Sequence, residues 1–404
     1  MNKRSLLSEQ EELHQGLRPA GRMNMARNII ICCDGTGNQF DSTNTSVVRI
    51  VQSLDRDPTK QRLYYDPGVG TMPEPGVWGK VQQKVSLLVG LAVGHGLMWK
   101  VQQAYTYLMN IWEPGDRIFL FGFSRGAYTV RVLAGMLHTM GLLPKGNDNL
   151  VPYVAKNYQA LKRKDFRQWK TLCDSFRWTF ARPMPGRNDR RCPVHFMGVW
   201  DTVSSVGLFW TPPAFPFTTR NPSIGIIRHA VSIDERRCFF RQNQMEPESE
   251  QNLKEYWFPG VHSDVGGGYP EVESSLWREP FEWILEEARK SDLVLLGDRV
   301  QAVRQKSSHL AQSSWDGPQH ESLKGPWWLL EFMPKPVWNS RFRARFPQCG
   351  FGRHRIIPEK ALIHSSTIHR LNNCGDYHPP NISDSFRQQV ATLRQIPEAI
   401  EYVP

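Results

Sequence analysis

The sequence predicts an α/β fold in which a mostly parallel sheet carries helices on both faces. Two observations predict it. Between residues 28 and 290, short apolar runs typical of buried strands alternate with longer segments of helical periodicity. Polar and glycine-rich turns follow directly after several of those apolar runs. Because strands that alternate with helices form parallel βαβ units, these turns are expected to meet at one edge of the sheet.

The first apolar run, 28–33, ends in the tight turn Asp34-Gly-Thr-Gly-Asn38 and is predicted to be a buried strand. Further strands are predicted at 62–66, 117–121, 193–200 and 255–258. Helices are predicted at 45–54, 81–112, 126–140, 224–233 and 279–290.

Three segments follow from the change in composition along the chain. Residues 1–26 are polar and are expected to form a flexible leader, and residues 27–290 are expected to form the main α/β domain, which contains the candidate catalytic residues described below. Within that domain, 145–192 is basic, aromatic and Pro-containing, which indicates an insertion or lid. The alternation of strands and helices fades after 290, so 291–404 is expected to be a loop-rich C-terminal extension that packs on the catalytic domain.

Charge and composition narrow the class of partner. The chain of 404 residues carries 50 Lys and Arg against 39 Asp and Glu, a formal charge of +11 that favours anionic partners such as phospholipid headgroups. The basic residues are spread along the chain, and no nucleic-acid partner is predicted. The oligomeric state is left open.

Cysteine usage and the N-terminus indicate where the protein is made. The 7 cysteines are scattered and form no Cys-x-x-Cys pair, which favours a reducing compartment and argues against a structural zinc site. Residues 1–25 contain no apolar signal region, and the longest apolar run, 85–99, is too short to span a membrane. A cytoplasmic protein is expected, with export by a signal-independent route left open.

The strongest chemical signal is Gly122-Phe-Ser-Arg-Gly126, a Gly-x-Ser-x-Gly motif between a predicted strand and a predicted helix. In this setting the serine occupies a sharp turn that exposes its hydroxyl, and the glycines allow neighbouring backbone to pass closely. The motif predicts a nucleophile at Ser124. It also predicts the α/β-hydrolase-like version of the fold.

A serine nucleophile needs a base and an acid that orients the base. Asp201 follows the strand 193–200 and is the expected acid, with Asp264 and Asp234 as alternatives. His262 is the expected base because it lies in a glycine-rich loop directly after a predicted strand. The order Ser, Asp, His is the chain order of this fold.

Backbone amides are expected to hold the oxyanion of the reaction. The amide of Arg125, at the start of the helix, is one predicted donor. The turn after the first strand is predicted to supply another, from Gly35 or Thr36. No metal or cofactor is required by this scheme.

Four motifs in this order resemble a known family: Ile31-Cys-Cys-Asp-Gly-Thr-Gly-Asn38, Gly122-Phe-Ser-Arg-Gly-Ala127, Gly198-Val-Trp-Asp-Thr-Val203 and Trp257-Phe-Pro-Gly-Val-His-Ser-Asp-Val-Gly-Gly-Gly268. The family is that of the phospholipase effectors of the bacterial type VI secretion system, in their first lipase class. The resemblance covers roughly residues 28–290. It implies an α/β-hydrolase fold, cleavage of phospholipid esters and a triad of Ser124, Asp201 and His262.

The expected function is therefore that of a serine esterase or lipase, with a lipid or small ester substrate and transient contact with a membrane surface. The aromatic segment 208–217 is either a lid that meets the interface or a Pro-rich loop whose rings are buried. Two alternatives remain open. Asp34, Asp201, His262 and Asp264 could gather around a divalent metal in a phosphoesterase, or the fold could bind a lipid or a protein without catalysis.

Overall fold

The computed structural model describes residues 26–35, 43–68, 95–163, 165–203, 215–248, 251–305, 314–325, 327–332, 334–339 and 344–404. Strands within these ranges are β1 (Asn28–Cys33), β2 (Gln61–Asp66), β3 (Arg117–Phe123), β4 (Val194–Trp200), β5 (Ile224–Ser232), β6 (Asn252–Phe258), β7 (Lys335–Asn339), β8 (Ala344–Gln348), β9 (Leu362–His364) and β10 (Ala399–Glu401).

The helices within the same ranges are α1 (Ser46–Ser53), α2 (His95–Ile111), α3 (Arg125–Met140), α4 (Val151–Gln159), α5 (Phe166–Phe180), α6 (His262–Gly266), α7 (Arg278–Lys290), α8 (Gly297–Gln305), α9 (Trp327–Glu331), α10 (Ser365–Asn373) and α11 (Asp384–Ala391).

The strands form one 8-stranded sheet in the order β10-β9-β6-β5-β4-β3-β1-β2, and β7 pairs with β8 in a separate hairpin. All neighbours in the large sheet run parallel except β9 and β10, which are antiparallel. The predicted α/β fold with a mostly parallel sheet is confirmed.

Both faces of the sheet are covered, which explains why its strands read as continuous apolar runs. One face packs against α2, α3, α4 and α5, and the other packs against α1, α7 and α8. The strand side chains divide accordingly, with Ile29 and Ile31 in the first core and Ile30 and Cys32 in the second.

One predicted element is wrong. The segment predicted as a helix at 224–233 is the central strand β5, which pairs with β4 on one side and β6 on the other. Its apolar residues Ile224, Ile227 and Val231 have helical spacing, but that spacing arises here because a strand between two helical layers is buried on both faces.

The other predicted strands and helices are confirmed within a few residues where the structure describes them. Only 95–111 of the predicted helix at 81–112 lies within the described residues. The predicted leader, residues 1–26, lies outside them except for its last residue.

The segment 145–192 forms helices that belong to the core. Val154 and Tyr158 on α4, and Trp169 and Phe176 on α5, are buried with α3. A lid role for this segment stays a prediction. Of the aromatic segment 208–217, residues 208–214 lie outside the described residues, whereas Phe215 is buried in the same core.

The C-terminal extension shares the sheet with the rest of the chain. Strand β9 lies beside β6, and β10 completes that edge. Helices α10 and α11 pack over it, so that Ile368 and Phe386 form a third core cluster with Trp257 of β6. The hydrophobic core therefore does not end at residue 290.

The parallel register brings the candidate site residues to one edge of the sheet. Asp34 follows β1, Ser124 follows β3 and Asp201 follows β4. His262 begins α6, a few residues after the end of β6. The arrangement is the one that the sequence predicted for the carboxyl ends of the strands.

A close backbone crossing fixes α3 against this edge. A Cβ atom at Gly126 would lie 2.1 Å from the carbonyl oxygen of Cys33 and 2.5 Å from that of Asp34. Both obstacles are backbone atoms of the β1 terminus, so they cannot rotate away. Glycine is required at this position by packing.

We expect Gly126→Ala to destabilise the protein by about 1–3 kcal/mol, because the clash outweighs the gain of roughly 1 kcal/mol in helix propensity. Urea unfolding followed by circular dichroism measures the change. Gly297→Ala is the matched control, since a Cβ at this other helical glycine meets nothing within 4 Å. Equal stability of the two variants would contradict the close crossing.

Candidate active site

Ser124 sits in a strained turn between β3 and α3. Its backbone angles are φ 58° and ψ −122°, which L-residues rarely adopt. Its amide donates to the carbonyl oxygen of Trp200 at 3.0 Å, and its carbonyl accepts from the amide of Val203 at 3.2 Å. The turn that holds Ser124 is therefore bonded on both sides to the end of β4.

A second glycine makes this turn sterically feasible. A Cβ atom at Gly122 would lie 2.6 Å from both the Cα atom of Ala127 and the carbonyl oxygen of Gly126. The glycines on either side of Ser124 in the sequence predict such a close approach of the backbone. The structure contains it on both sides, since Gly126 in turn lies against β1.

Asp201 and His262 form a buried hydrogen-bonded pair. The Nδ1 atom of His262 donates to Oδ2 of Asp201 at 2.5 Å, and the two side chains are 4% and 1% exposed, respectively. The other oxygen of Asp201, Oδ1, accepts from the amide of Ser232 at the end of β5. With Nδ1 donating, Nε2 of His262 is the basic nitrogen of the ring.

Arg355, which lies between β8 and β9 in the extension, is not among the site residues predicted from the sequence. Its Nη1 donates to Oδ1 of Asp201 at 2.5 Å, and its Nη2 donates to Oδ2 at 3.0 Å. The guanidinium also donates to the hydroxyl of Ser232 and to the carbonyl oxygen of Phe240. No local pattern marks this arginine, because its partners are more than a hundred residues away along the chain.

The electrostatics of the pair follow from burial and from these neighbours. Burial raises the pKa of the Asp201 carboxyl, but the charge of Arg355 and the hydrogen bond from His262 lower it well below its usual range. Burial lowers the pKa of His262, and Asp201 only partly opposes that shift. The geometry therefore favours a carboxylate beside a neutral imidazole at neutral pH.

Aromatic rings enclose the imidazole of His262. The ring of Phe123, the residue before Ser124, stacks on it with a centroid distance of 4.6 Å. Phe240 meets it edge-on at 4.8 Å. Gly266 allows the first of these contacts, because a Cβ atom there would overlap the Phe123 ring at 1.9 Å. The contact ties the imidazole directly to the turn that carries Ser124.

Three acidic side chains hold the loop that carries His262. Oε2 of Glu235 accepts from the amide of His262 at 3.2 Å. Oδ2 of Asp264 accepts from the amide of Val261, and Oδ2 of Asp234 accepts from the amide of Gly260 at 2.6 Å. The sequence placed Asp234 and Asp264 among the candidate acids, but Glu235 was missed although it directly follows Asp234.

The alternative acids have other partners. Asp264 accepts from Nδ1 of His320 at 2.6 Å, and Asp234 accepts from the hydroxyl of Tyr377 at 3.0 Å. Burial raises the pKa of Asp234 to about 7. Of the three acids that the sequence left open, Asp201 is the one hydrogen-bonded to the His262 ring.

A cavity of about 600 Å³ lies beside this loop and is lined in part by Asp234, Val261 and His320. The side chains of Ser124, Asp201 and His262 do not line it. The cavity is therefore separate from the expected ester chemistry.

The predicted oxyanion donors lie near the turn after β1 and at the start of α3. The amide of Gly35 donates to Oδ1 of Asp34 at 2.7 Å, so an oxyanion would have to share this donor. Thr36 lies outside the described residues. Arg125 is the first residue of α3, where backbone amides have no partner within the helix. Both assignments stay predictions.

A metal centre at the strand ends was an alternative interpretation of the sequence. In the part of the chain that the structure describes, no three His, Cys, Asp or Glu side chains are grouped so as to hold a metal ion. Asp34 is instead hydrogen-bonded to Thr45 and Tyr65. The donor set that this alternative requires is not assembled by these residues.

Comparison with known proteins identifies the family. Residues 27–287 match the family described as "T6SS, Phospholipase effector Tle1-like, catalytic domain". The chain belongs to this family. Membership places it among phospholipase-type hydrolase domains, and it confirms the resemblance carried by the four sequence motifs. None of the helices in the described ranges combines the length and hydropathy needed to cross a bilayer.

The chain is also similar to individual proteins. Over 239 residues the chain is 34% identical to the "Uncharacterized protein YEL023C" of Saccharomyces cerevisiae, which covers 56% of this chain and 34% of that protein. An uncharacterized protein from Pseudomonas aeruginosa has 18% identity and a TM-score of 0.42, covering 76% of this chain and 52% of the other.

The Tle1 effector bound to the VgrG spike of the type VI secretion system has 20% identity and a TM-score of 0.35, covering 62% of this chain and 53% of that chain. This chain thus spans about a third of the length of the yeast relative and about half of each of the two solved structures.

Glu235 is expected to hold the loop that carries His262 through its hydrogen bond to the His262 amide. Burial raises the pKa of Glu235, but the hydrogen bond and charge of Arg237 bring it below its ordinary value. Glu235→Gln removes the negative charge from this buried pair, so we expect a loss of about 3 kcal/mol in stability. We also expect faster amide hydrogen exchange in residues 260–268, measured by mass spectrometry.

Glu321→Gln is the control, since Glu321 is an exposed partner of Arg236 and its loss is expected to cost less than about 1 kcal/mol. Unchanged exchange of residues 260–268 in Glu235→Gln would show that the loop is held without Glu235.

Proposed function

We propose that this Tle1-like domain is a serine hydrolase that cleaves carboxylic esters of lipids. Ser124 is the nucleophile, His262 the general base and Asp201 the acid that orients the base. The observation that carries the proposal is the buried hydrogen bond of 2.5 Å between His262 and Asp201. It lies at the sheet edge where the strained Ser124 turn is bonded to the end of β4.

The reaction follows from the roles of these groups. Nε2 of His262 accepts the proton of the Ser124 hydroxyl as the oxygen attacks the ester carbonyl carbon. The tetrahedral intermediate collapses, and the imidazolium gives that proton to the departing alcohol. A water molecule, deprotonated by Nε2, then attacks the acyl carbon. When the second tetrahedral intermediate collapses, the imidazolium returns this proton to the Ser124 oxygen, and the carboxylic acid leaves.

The surroundings of His262 support this role. The carboxylate of Asp201 stabilises the imidazolium that forms during each step, and burial next to Phe123 and Phe240 strengthens that interaction by excluding water. The amide of Arg125, at the N-terminus of α3, is the proposed oxyanion donor next to the nucleophile.

The substrate class rests on the family and on the charge of the chain. The family is one of phospholipase effectors, and the net charge of +11 favours association with anionic lipid surfaces. We therefore propose a phospholipid or related lipid ester as substrate. Contact with the lipid surface is transient, since it is needed only while a substrate molecule is bound.

We expect a fluorophosphonate to label the purified protein and Ser124→Ala and His262→Gln to abolish labelling. Hydrolysis of phospholipid in mixed micelles is expected to fall by about 10⁴-fold or more in both variants, since a triad without one member retains little activity. Ser175→Ala, which changes an exposed serine on α5, is the control and should behave as wild type.

Labelling of folded Ser124→Ala at the wild-type rate would overturn the assignment of the nucleophile. Activity that survives this substitution but is lost with a chelator would favour a metal-dependent phosphoesterase. Absence of both labelling and hydrolysis in the folded wild-type protein would favour a binding role.

The pH dependence gives a separate prediction. His262 must be neutral to accept the proton of Ser124, and burial lowers its pKa. We therefore expect the acid limb of kcat/KM to have its midpoint below the ordinary histidine value of about 6.5. Asp201→Asn removes the carboxylate that raises the pKa of His262, so the midpoint should move lower still while the rate falls.

The measurement is a pH–rate profile with a soluble short-chain ester, which avoids changes in the lipid surface with pH. A wild-type midpoint clearly above 6.5, or an Asp201→Asn variant whose midpoint rises, would contradict the proposed environment of His262.

A further inference from the structure

Arg355 lies outside the family match, which ends at residue 287. It belongs to the C-terminal extension, yet its side chain is 4% exposed and is inserted between the ends of β4 and β5. The extension thus supplies a charged group to the buried surroundings of Asp201. The matched domain alone leaves this carboxylate without a cationic partner among the contacts of the described residues.

Every hydrogen-bond accepting position of the Asp201 carboxylate is occupied. A carboxylate has about four lone-pair positions. Oδ1 accepts from the Ser232 amide and from Nη1 of Arg355, and Oδ2 accepts from Nδ1 of His262 and from Nη2 of Arg355. Arg355 therefore supplies half of these bonds. Because its planar guanidinium donates to both oxygens, it fixes the plane of the carboxylate.

The guanidinium is itself held in place. Nη1 donates to the carbonyl oxygen and the hydroxyl of Ser232 at 3.0 and 2.8 Å, and Nη2 donates to the carbonyl oxygen of Phe240 at 2.5 Å. Phe240 also contacts the His262 ring edge-on. Arg355 therefore connects the acid, the end of β5 and a residue that contacts the base.

We propose that Arg355 is a positioning residue of the hydrolase, which orients the Asp201 carboxylate toward His262 and pairs its buried charge. The inference rests on the proposed function, since it assigns Arg355 a role in the same reaction. It also makes the extension a component of the catalytic site, because no residue within 27–287 is bonded to both Asp201 oxygens in the described structure.

Other residues of the extension support the loop that carries His262. The hydroxyl of Ser322 donates to Glu235, which accepts from the His262 amide. His320 donates to Asp264, which accepts from the amide of Val261. The base and the acid are thus both supported from residues beyond 287.

The direction in which loss of the Arg355 charge moves the protonation midpoint of His262 distinguishes a positioning role of Arg355 from simple stabilisation of the fold. The positive charge of Arg355 offsets part of the negative charge of Asp201. It therefore opposes protonation of the neighbouring His262 imidazole. Without that charge, the Asp201–His262 pair takes up its proton at higher pH. Arg355→Met should therefore move the acid limb of kcat/KM upward, opposite to Asp201→Asn.

The experiment compares Arg355→Met, Arg355→Lys and the control Arg353→Met, which changes an exposed arginine of the same loop. Two readouts are used: pH profiles of short-chain ester hydrolysis, and NMR titration of ¹³C-labelled histidine with the His262 signal assigned by its loss in His262→Gln. The NMR titration needs no turnover and thus also tests the inference in a protein that hydrolyses nothing.

We expect Arg355→Met to lower kcat/KM by about 10²-fold, on the scale of general-base catalysis, and to raise the midpoint of His262 in both readouts. Arg355→Lys keeps the charge but cannot bridge both oxygens, so it should lower kcat/KM while leaving the midpoint near wild type. Arg353→Met should match wild type in both.

An active Arg355→Met protein with the wild-type rate and midpoint would overturn the inference and leave the proposed function intact. Should Arg355→Met fail to fold, wild-type kcat/KM in Arg355→Lys would overturn it equally. A wild-type protein without hydrolysis or labelling would refute the proposed function, and the NMR midpoint would then decide the coupling of Arg355 to His262 by itself.

Discussion

The carboxylate of Asp201 is a charge buried at 1% exposure in the middle of the sheet edge, and such a charge is costly unless it is paired and hydrogen-bonded. Its donors come from three distant parts of the chain: the end of β5, the loop after β6 and the extension. The Asp201 carboxylate is therefore fully hydrogen-bonded only when the sheet, the His262 loop and the extension are all in their folded positions. The β4–β5–β6 register and the position of residues 351–357 are linked through it.

Much of this architecture could be predicted from the sequence, since it is encoded in local patterns. The alternation of apolar runs with helical segments predicts most of the strands and a mostly parallel sheet, and the parallel sheet then brings Ser124, Asp201 and His262 to one edge. The pattern was misleading at 224–233, where β5 is buried on both faces and loses the alternation by which strands are recognised. Spacing alone does not separate such a strand from a buried helix.

The residues that the sequence did not reveal are those whose importance arises from long-range contacts. Glu235 gains its position through the His262 amide, Arg237 and Ser322, and Arg355 gains its position through Asp201. Neither belongs to a motif with fixed spacing. The Gly-x-Ser-x-Gly motif is visible because the constraint on Ser124 is local, whereas the acid and its arginine meet only through tertiary structure.

Arg355 follows all three residues of the proposed triad in the chain, and this order has a consequence for synthesis. A ribosome produces the Ser124 turn, Asp201 and His262 well before it reaches residue 355, and strands β9 and β10 follow later still. Until then Asp201 has no guanidinium, and the edge of β6 is uncovered. The nascent chain therefore carries all three residues of the proposed triad without their final electrostatic surroundings, and these are completed only after residue 355 and the strands that follow it have been synthesised.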